Sequence, residues 1–373
     1  MGRDTCVVDL VQLLYCLGSI ENLSVVAAGK TQGLNGAGFG EVQKLFVPRS
    51  PRCFLLRGVV LGYSLVTVLS AIEGLARRSE FGIRRLLRGA RIGLVFCVTT
   101  AFALPATAQQ IALPVEVIFI PKKMALWTLE LETTVYKPPG PGPFPLVVIN
   151  HGKATGHAGL QPRYTPGWAA RYFVERGYVV FVPMRTGFSK STGGYVGGGC
   201  NIESNGLVQA EDVAATVAYA HTLSYVERTQ TLVVGQSHGG WTTLAYGAAK
   251  PDPSVKGLVN FAGGLRQQDC IGWQLNLAKA AANYAQDTKL PSLWFYGDND
   301  SYFTKEVYTE MFARYKKANP QAQLVAFGEF GEDSHRLFGS KDGRAIWEPH
   351  LEAFMSELGL PVKVVYPQYR PNP

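Results

Sequence analysis

Six short runs along this chain contain almost no polar side chains. They are LVVIN at 146–150, YVVFVPM at 178–184, TLVVG at 231–235, VKGLVNFA at 255–262, PSLWFYG at 291–297 and AQLVAF at 322–327. A strand with one wet face alternates apolar and polar residues, so runs that do not alternate belong to strands buried on both faces. Helical stretches separate them: 163–176, 206–223, 238–249 and, after the last run, GRAIWEPHLEAFMSELG at 343–359. Ahead of the first run, VEVIFI at 115–120 and WTLELETTVYKP at 127–138 do alternate, and they read as an antiparallel pair. The pattern predicts an α/β fold: a mostly parallel central sheet of about eight strands, flanked by helices on both faces. Only about 28 residues lie between Ala262 and Leu290, which leaves no room for a large cap domain.

The first 108 residues do not share this rhythm. They hold 12 of the 36 Lys and Arg and 6 of the 28 Asp and Glu, a net of +6. The remainder holds 24 against 22, a net of only +2. The globular part is therefore near neutral and offers no basic face for nucleic acid. Residues 86–108, behind Arg84 and Arg85, have the parts of a secretory signal: Arg88 and Arg91, an apolar run from Ile92 to Leu104, and Ala106-Thr107-Ala108 before a cut. The alternative is an uncleaved anchor, although the run is shorter than a typical span. Residues 1–85 show no sustained periodicity and read as a poorly structured extension upstream of a true start near Leu86 to Arg91. A rival reading makes 58–72 an extra membrane segment. The expectation is an exported protein, periplasmic or secreted, with 109–373 as its one folded domain and no stable membrane association after cleavage.

Cysteine usage fits export. Four of the six cysteines precede residue 109, leaving Cys200 and Cys270 as an even pair in a compartment that permits disulfides. A bridge there would close a loop of about 70 residues and contribute roughly 4 kcal/mol. No cysteine or histidine cluster has metal-ligand spacing.

The chemistry is concentrated around VVGQSHGG at 233–240. Gly235-x-Ser237-x-Gly239 is a common pattern by chance, but here it follows an apolar strand and opens a helix rich in small residues. That is the setting of a nucleophile raised on a sharp strand-to-helix turn. A serine hydroxyl is a poor nucleophile near neutrality and needs a base, a carboxylate to orient that base, and donors for the oxyanion. Asp298 and Asp300 follow the strand two after the one that ends at the serine, and either could be the acid, Asp300 being preferred. His335 lies on the loop after the next strand. The N–H of His238, just past the serine, is one expected oxyanion donor, and the N–H of Lys153, in HGKATG after LVVIN, is the other. His151 is expected to brace that loop, and Gly152 to let the main chain approach substrate.

His151-Gly152, GQSHGG, YGDNDSYF (296–303) and EDSHRLF (332–338) together resemble the α/β-hydrolase superfamily, and within it the dienelactone-hydrolase-like group of secreted proteins. The resemblance covers about residues 112–360 and implies no metal and no organic cofactor. MRTGFSKSTGG at 184–194 looks like a loop found near the active site in these relatives, with Arg185, Gly187 and Ser189 matching. Arg185 is thereby expected to bind substrate, as are Gly152 and Tyr302 from their own places in the sequence. Dienelactone hydrolase itself carries cysteine at the elbow, so Ser237 leans the expectation toward a general carboxylic ester, a small molecule. The rival enzyme is a peptidase like the prolyl-oligopeptidase group, which usually carries a large appended domain. A non-catalytic binding protein on the same scaffold would be expected to have lost one of the three residues. GGYVGGGCNIESNG at 193–206 reads either as a glycine-rich loop bordering the pocket, pinned by Cys200, with Trp273 and Tyr302 as aromatic walls, or as a mobile surface loop that meets no ligand.

Overall fold

Each apolar run becomes a strand of one sheet. The computed structural model describes residues 111–371. Its strands are β1 (Val115–Lys123), β2 (Thr128–Tyr136), β3 (Phe144–Asn150), β4 (Val179–Pro183), β5 (Val226–Gln236), β6 (Val255–Phe261), β7 (Ser292–Tyr296) and β8 (Ala322–Ala326). They lie in the order β1-β2-β4-β3-β5-β6-β7-β8. β1 pairs antiparallel with β2, and β2 antiparallel with β4. All other neighbours are parallel. The expected eight-stranded, mostly parallel sheet is therefore present.

Six α-helices lie among the described residues: α1 (Gly167–Glu175), α2 (Ile202–Ala220), α3 (His238–Ala248), α4 (Trp273–Asp287), α5 (Lys305–Ala318) and α6 (Arg344–Glu357). The sheet explains why its strands read as unbroken apolar runs. Leu146, Val148 and Val233 face a core shared with Trp241, Leu244, Leu277 and Met311, contributed by α3, α4 and α5. Their neighbours Val147, Ile149, Leu232 and Val234 face a second core with Phe173, Trp347 and Leu351, from α1 and α6. A period of two delivers alternate side chains to opposite faces, and both faces here are dry. Between β6 and β7 stands α4 alone, with no cap domain.

Two helix starts differ from the sequence reading. α1 begins at Gly167, four residues later than expected, because Pro166 at its cap restrains Thr165 from the helical region. α2 begins at Ile202 instead of 206, because the Asn201 side chain accepts the Ser204 N–H at 2.9 Å and caps an earlier turn. Cys200 and Cys270 are joined in a disulfide, with 5.6 Å between their Cα atoms. The extension at 1–85, its 58–72 segment and the signal at 86–108 lie outside the described residues. Among the described residues no helix is long and apolar enough to cross a membrane.

Candidate active site

Ser237 stands at the C-terminal end of β5, the central parallel strand, with φ 58° and ψ −127°. That backbone is strained for a residue with a side chain, and it persists because the surroundings hold it. The Ser237 N–H donates to the Phe261 carbonyl at 2.9 Å, while its own carbonyl accepts from Trp241 at 3.1 Å and from Gly264 at 3.2 Å. The flanking glycines are required by contact. A Cβ at Gly235 would collide with the Gly239 carbonyl, and one at Gly239 with the Asn150 carbonyl.

The loops after β7 and β8 bring the other two expected residues to the serine. His335 Nε2 lies 2.8 Å from Ser237 Oγ. Its Nδ1 lies 2.9 Å from Asp300 Oδ2 and 3.1 Å from Oδ1. The Asp300 carboxylate is fully buried and accepts two further hydrogen bonds, from the N–H groups of Tyr302 at 2.8 Å and Phe303 at 2.9 Å. With the carboxylate as acceptor, His335 presents its Nδ1–H to Asp300 and its Nε2 to the serine hydroxyl. Asp298, the alternative acid, points elsewhere. It pairs with Lys305 at 2.9 Å and accepts from the Tyr308 hydroxyl at 2.8 Å. Lys305 first, then Tyr308, hold its carboxyl below the usual range.

The sequence reading missed Asp333. Its side chain accepts from the His335 N–H at 3.0 Å, and from Ser301 through N–H at 3.1 Å and hydroxyl at 2.8 Å. It thus ties the acid's loop to the base's loop. Burial alone would raise its pKa, but these hydrogen bonds outweigh burial and hold it below the usual range. The only signal was an aspartate two residues before a histidine, a spacing equally common in ordinary caps.

The loop after β3 lies against the serine: a Cβ at Gly152 would stand 3.2 Å from Ser237 Cβ. Among the described residues, neither the His238 N–H nor the Lys153 N–H donates to another group of the chain. Both are free to meet a developing oxyanion. His151 braces the loop as expected, with Nδ1 2.6 Å from the Gly152 carbonyl and Nε2 accepting from the Arg185 N–H at 3.0 Å.

Arg185 requires a correction. Expected to touch substrate, it is instead wholly buried. Its guanidinium donates from Nε to Gln209 Oε1 at 3.2 Å, from Nη1 to the His151 carbonyl at 2.7 Å and from Nη2 to His238 Nδ1 at 2.9 Å. His238 in turn donates from Nε2 to Asn205 Oδ1 at 2.8 Å. Asn205 donates to the carbonyls of Val196 at 2.9 Å and Gly197 at 3.0 Å, fixing the glycine-rich loop. Sequence pattern placed Arg185 near the site; its direction depends on contacts the pattern does not contain.

Two hollows meet at Ser237. One, of about 280 Å³, is bounded by Gly152, Gln161, Tyr164, Met184, Tyr302 and His335. The other, of about 550 Å³, is bounded by Tyr195, Gly197, His238, Leu265, Arg266 and Phe303, with Tyr302 and Lys153 shared between the two. Neither wall carries an Asp or Glu. Gly152 and Tyr302 thus line the cleft, and the glycine-rich loop borders it. The Cys200–Cys270 bridge ties that loop to the segment carrying Leu265 and Arg266. Trp273, expected as a wall, sits at the start of α4 and meets Phe303 edge-on, with centroids 6.5 Å apart. Among the described residues no group of three His, Cys, Asp or Glu could hold a metal ion.

A family model described as the dienelactone hydrolase family matches residues 131–340, more than half of the chain. No curated protein matches the chain. Among solved structures, an esterase of Pyrococcus furiosus is 15% identical, with a TM-score of 0.49 over 66% of this chain and 92% of that one. Est1E of Butyrivibrio proteoclasticus, with ferulic acid bound, is 16% identical, with a TM-score of 0.47 over 65% and 99%. Dipeptidyl peptidase 4 of Porphyromonas gingivalis is 18% identical, with a TM-score of 0.49 over 66% of this chain and 36% of that one. At these identities nothing of their substrates transfers to this chain.

Proposed function

Since the chain belongs to the dienelactone hydrolase family and is therefore a hydrolase, we propose that it cleaves carboxylic esters through an acyl-enzyme on Ser237. One observation carries the reading. A continuous Ser237–His335–Asp300 relay, with contacts of 2.8 and 2.9 Å, opens into a cleft beside two unengaged main-chain donors.

The steps follow from that geometry. His335 Nε2 takes the hydroxyl proton as Ser237 Oγ bonds to the ester carbonyl carbon. The Nδ1–H held by Asp300 lets the resulting imidazolium share its charge with a carboxylate. The carbonyl oxygen, now an oxyanion, is met by the N–H groups of His238 and Lys153. Collapse breaks the ester C–O bond, and the leaving alkoxide takes the proton from His335. Water then gives a proton to the same nitrogen as it attacks the acyl carbon; collapse breaks the bond to Ser237 Oγ, which takes that proton back as the acid leaves.

The lining of the cleft argues against one kind of peptidase, that which grips a free amino terminus. An enzyme that trims amino-terminal dipeptides needs carboxylates for the free ammonium group. The hollows beside Ser237 have none and carry Lys153 and Arg266. The disulfide fits an oxidising compartment, and we place the reaction in an exported protein. A fluorophosphonate probe should label the wild-type protein and spare Ser237→Ala, which separates an enzyme from a binding protein on the same scaffold. A panel of p-nitrophenyl esters against aminoacyl-prolyl anilides tests the bond. Faster turnover of the anilides would overturn the ester assignment.

A further inference from the structure

Beneath the elbow one residue, Arg185, reaches both halves of the oxyanion site, through its side chain and its main chain together. Arg185 Nη2 donates to His238 Nδ1, so that ring carries its proton on Nε2 and is held from both ends, between Arg185 and Asn205. The main-chain N–H of that same residue is one donor of the site. The second half is held through His151. Because the Arg185 N–H donates to His151 Nε2, the imidazole proton sits on Nδ1 and bonds the Gly152 carbonyl. A peptide group is planar and trans, so its N–H points opposite to its C=O. The Gly152 carbonyl and the Lys153 N–H are the two ends of one such group. Pinning the carbonyl to His151 aims the Lys153 N–H the other way. Arg185 Nη1 also holds the His151 carbonyl directly.

The charge at this position is equally informative. Among the described residues no carboxylate lies within ion-pair distance of the Arg185 guanidinium, although the residue is wholly buried. The carboxylate that most favours its charge, Asp212, is already engaged. Asp212 accepts from Lys122 at 2.8 Å and from the Thr186 N–H and hydroxyl at 2.7 and 2.8 Å. A buried cation without a counter-ion is costly, and such groups are normally paired. A negative charge that appears only during reaction would complete the pair.

We propose that Arg185 is the positioning residue of the oxyanion site, aligning both donors and supplying a buried positive charge that stabilises the tetrahedral intermediate. This rests on the acyl-enzyme reading above. Burial draws the Arg185 pKa down to about 10, so the group still carries its proton near neutrality. Burial and then the charge of Arg185 hold both His151 and His238 well below the ordinary histidine range. The positive charge therefore stays on Arg185.

Gln209→Glu separates charge from packing. The glutamate has the same shape, keeps the hydrogen bond to Nε and gives the guanidinium a permanent partner. If Arg185 were only structural, this change would leave turnover alone. Here Q209E should lower kcat on p-nitrophenyl butyrate about tenfold, with KM within about twofold and melting temperature unchanged or raised. Affinity for the matching trifluoromethyl ketone, which forms a tetrahedral oxyanion on the serine, should fall in step with kcat/KM. Arg185→Met should lower kcat about 10²- to 10³-fold. Wild-type kcat in Q209E, or a folded R185M within about threefold of wild type, would overturn the proposal. Should R185M not fold, Q209E decides alone. Ser237→Ala run alongside distinguishes the failures: an active S237A removes the acyl-enzyme reading, whereas an inactive S237A with a fully active Q209E removes only the role of Arg185.

Discussion

Histidines stand on both sides of Ser237, and their charged neighbours have opposite signs. In front, His335 faces the Asp300 carboxylate at 2.9 Å. Behind, His238 faces the Arg185 guanidinium at 2.9 Å, and His151 accepts from the Arg185 main chain at 3.0 Å. A carboxylate stabilises an imidazolium, so the front ring can take and return a proton. Burial first, and then the guanidinium, disfavour a proton on the rear rings, which stay neutral and serve as fixed hydrogen-bonding struts. The same residue type is fitted for a proton relay or for a brace by its burial together with the sign of the charge beside it.

The contrast is tested most severely at the front. Ser237→Ala should lower kcat by about 10⁶-fold, with the melting temperature nearly unchanged, since the relay acts as a unit. Asp300→Asn should cost about 10⁴-fold by turning His335 to the wrong tautomer. Asp298→Asn, two residues away on the same loop, should stay within about threefold because it serves only Lys305 and Tyr308. Steady-state kinetics on one ester compares all three, and a D298N loss approaching that of D300N would break the assignment of the acid.

Asp333→Asn sharpens the same comparison at smaller scale. Loosening the tie between Ser301 and His335 should lower kcat about tenfold while leaving Ser237 reactive toward a fluorophosphonate. A loss confined to KM would show that Asp333 shapes the cleft instead.

The rear side is read through stability. His151 and His238 have folded pKa values well below 6.5, chiefly through burial, whereas in the unfolded chain they titrate near the ordinary value. Their contribution is therefore fully present above about pH 6.5 and is lost as pH falls and the unfolded chain binds protons that the folded one refuses. Each histidine steepens the decline by up to roughly 1.4 kcal/mol per pH unit below that point. Urea unfolding at pH 7.5, 6.5 and 5.5 should show this loss, and His238→Gln should flatten it. An unchanged slope in the variant would mean that His238 takes up a proton in the folded protein.

The sheet was legible because burial of a strand on both faces is written in each run separately. LVVIN or TLVVG needs no partner to declare itself. The elbow was legible for the same reason, since Gly235, Ser237 and Gly239 define one continuous turn. The order of Ser237, Asp300 and His335 along the chain is set by which strand each follows, and that too is a property of the sequence. Helix starts were read less well, because Asn201 and Pro166 act through single contacts and not through periodicity.

Direction was decided only in three dimensions. Asp298 and Asp300 follow the same strand in the same polar stretch, and nothing in the letters says which carboxylate turns inward. Arg185 looks like a residue that grips substrate until its fork is seen closing on His151 and His238. Asp333 gains its role from Ser301, 32 residues away. The chain alone determines where strands, turn and reactive residue types fall, because those follow from local burial and backbone geometry. Which charged group faces which imidazole is set by contacts between segments far apart in sequence, and only the packed fold brings those segments together.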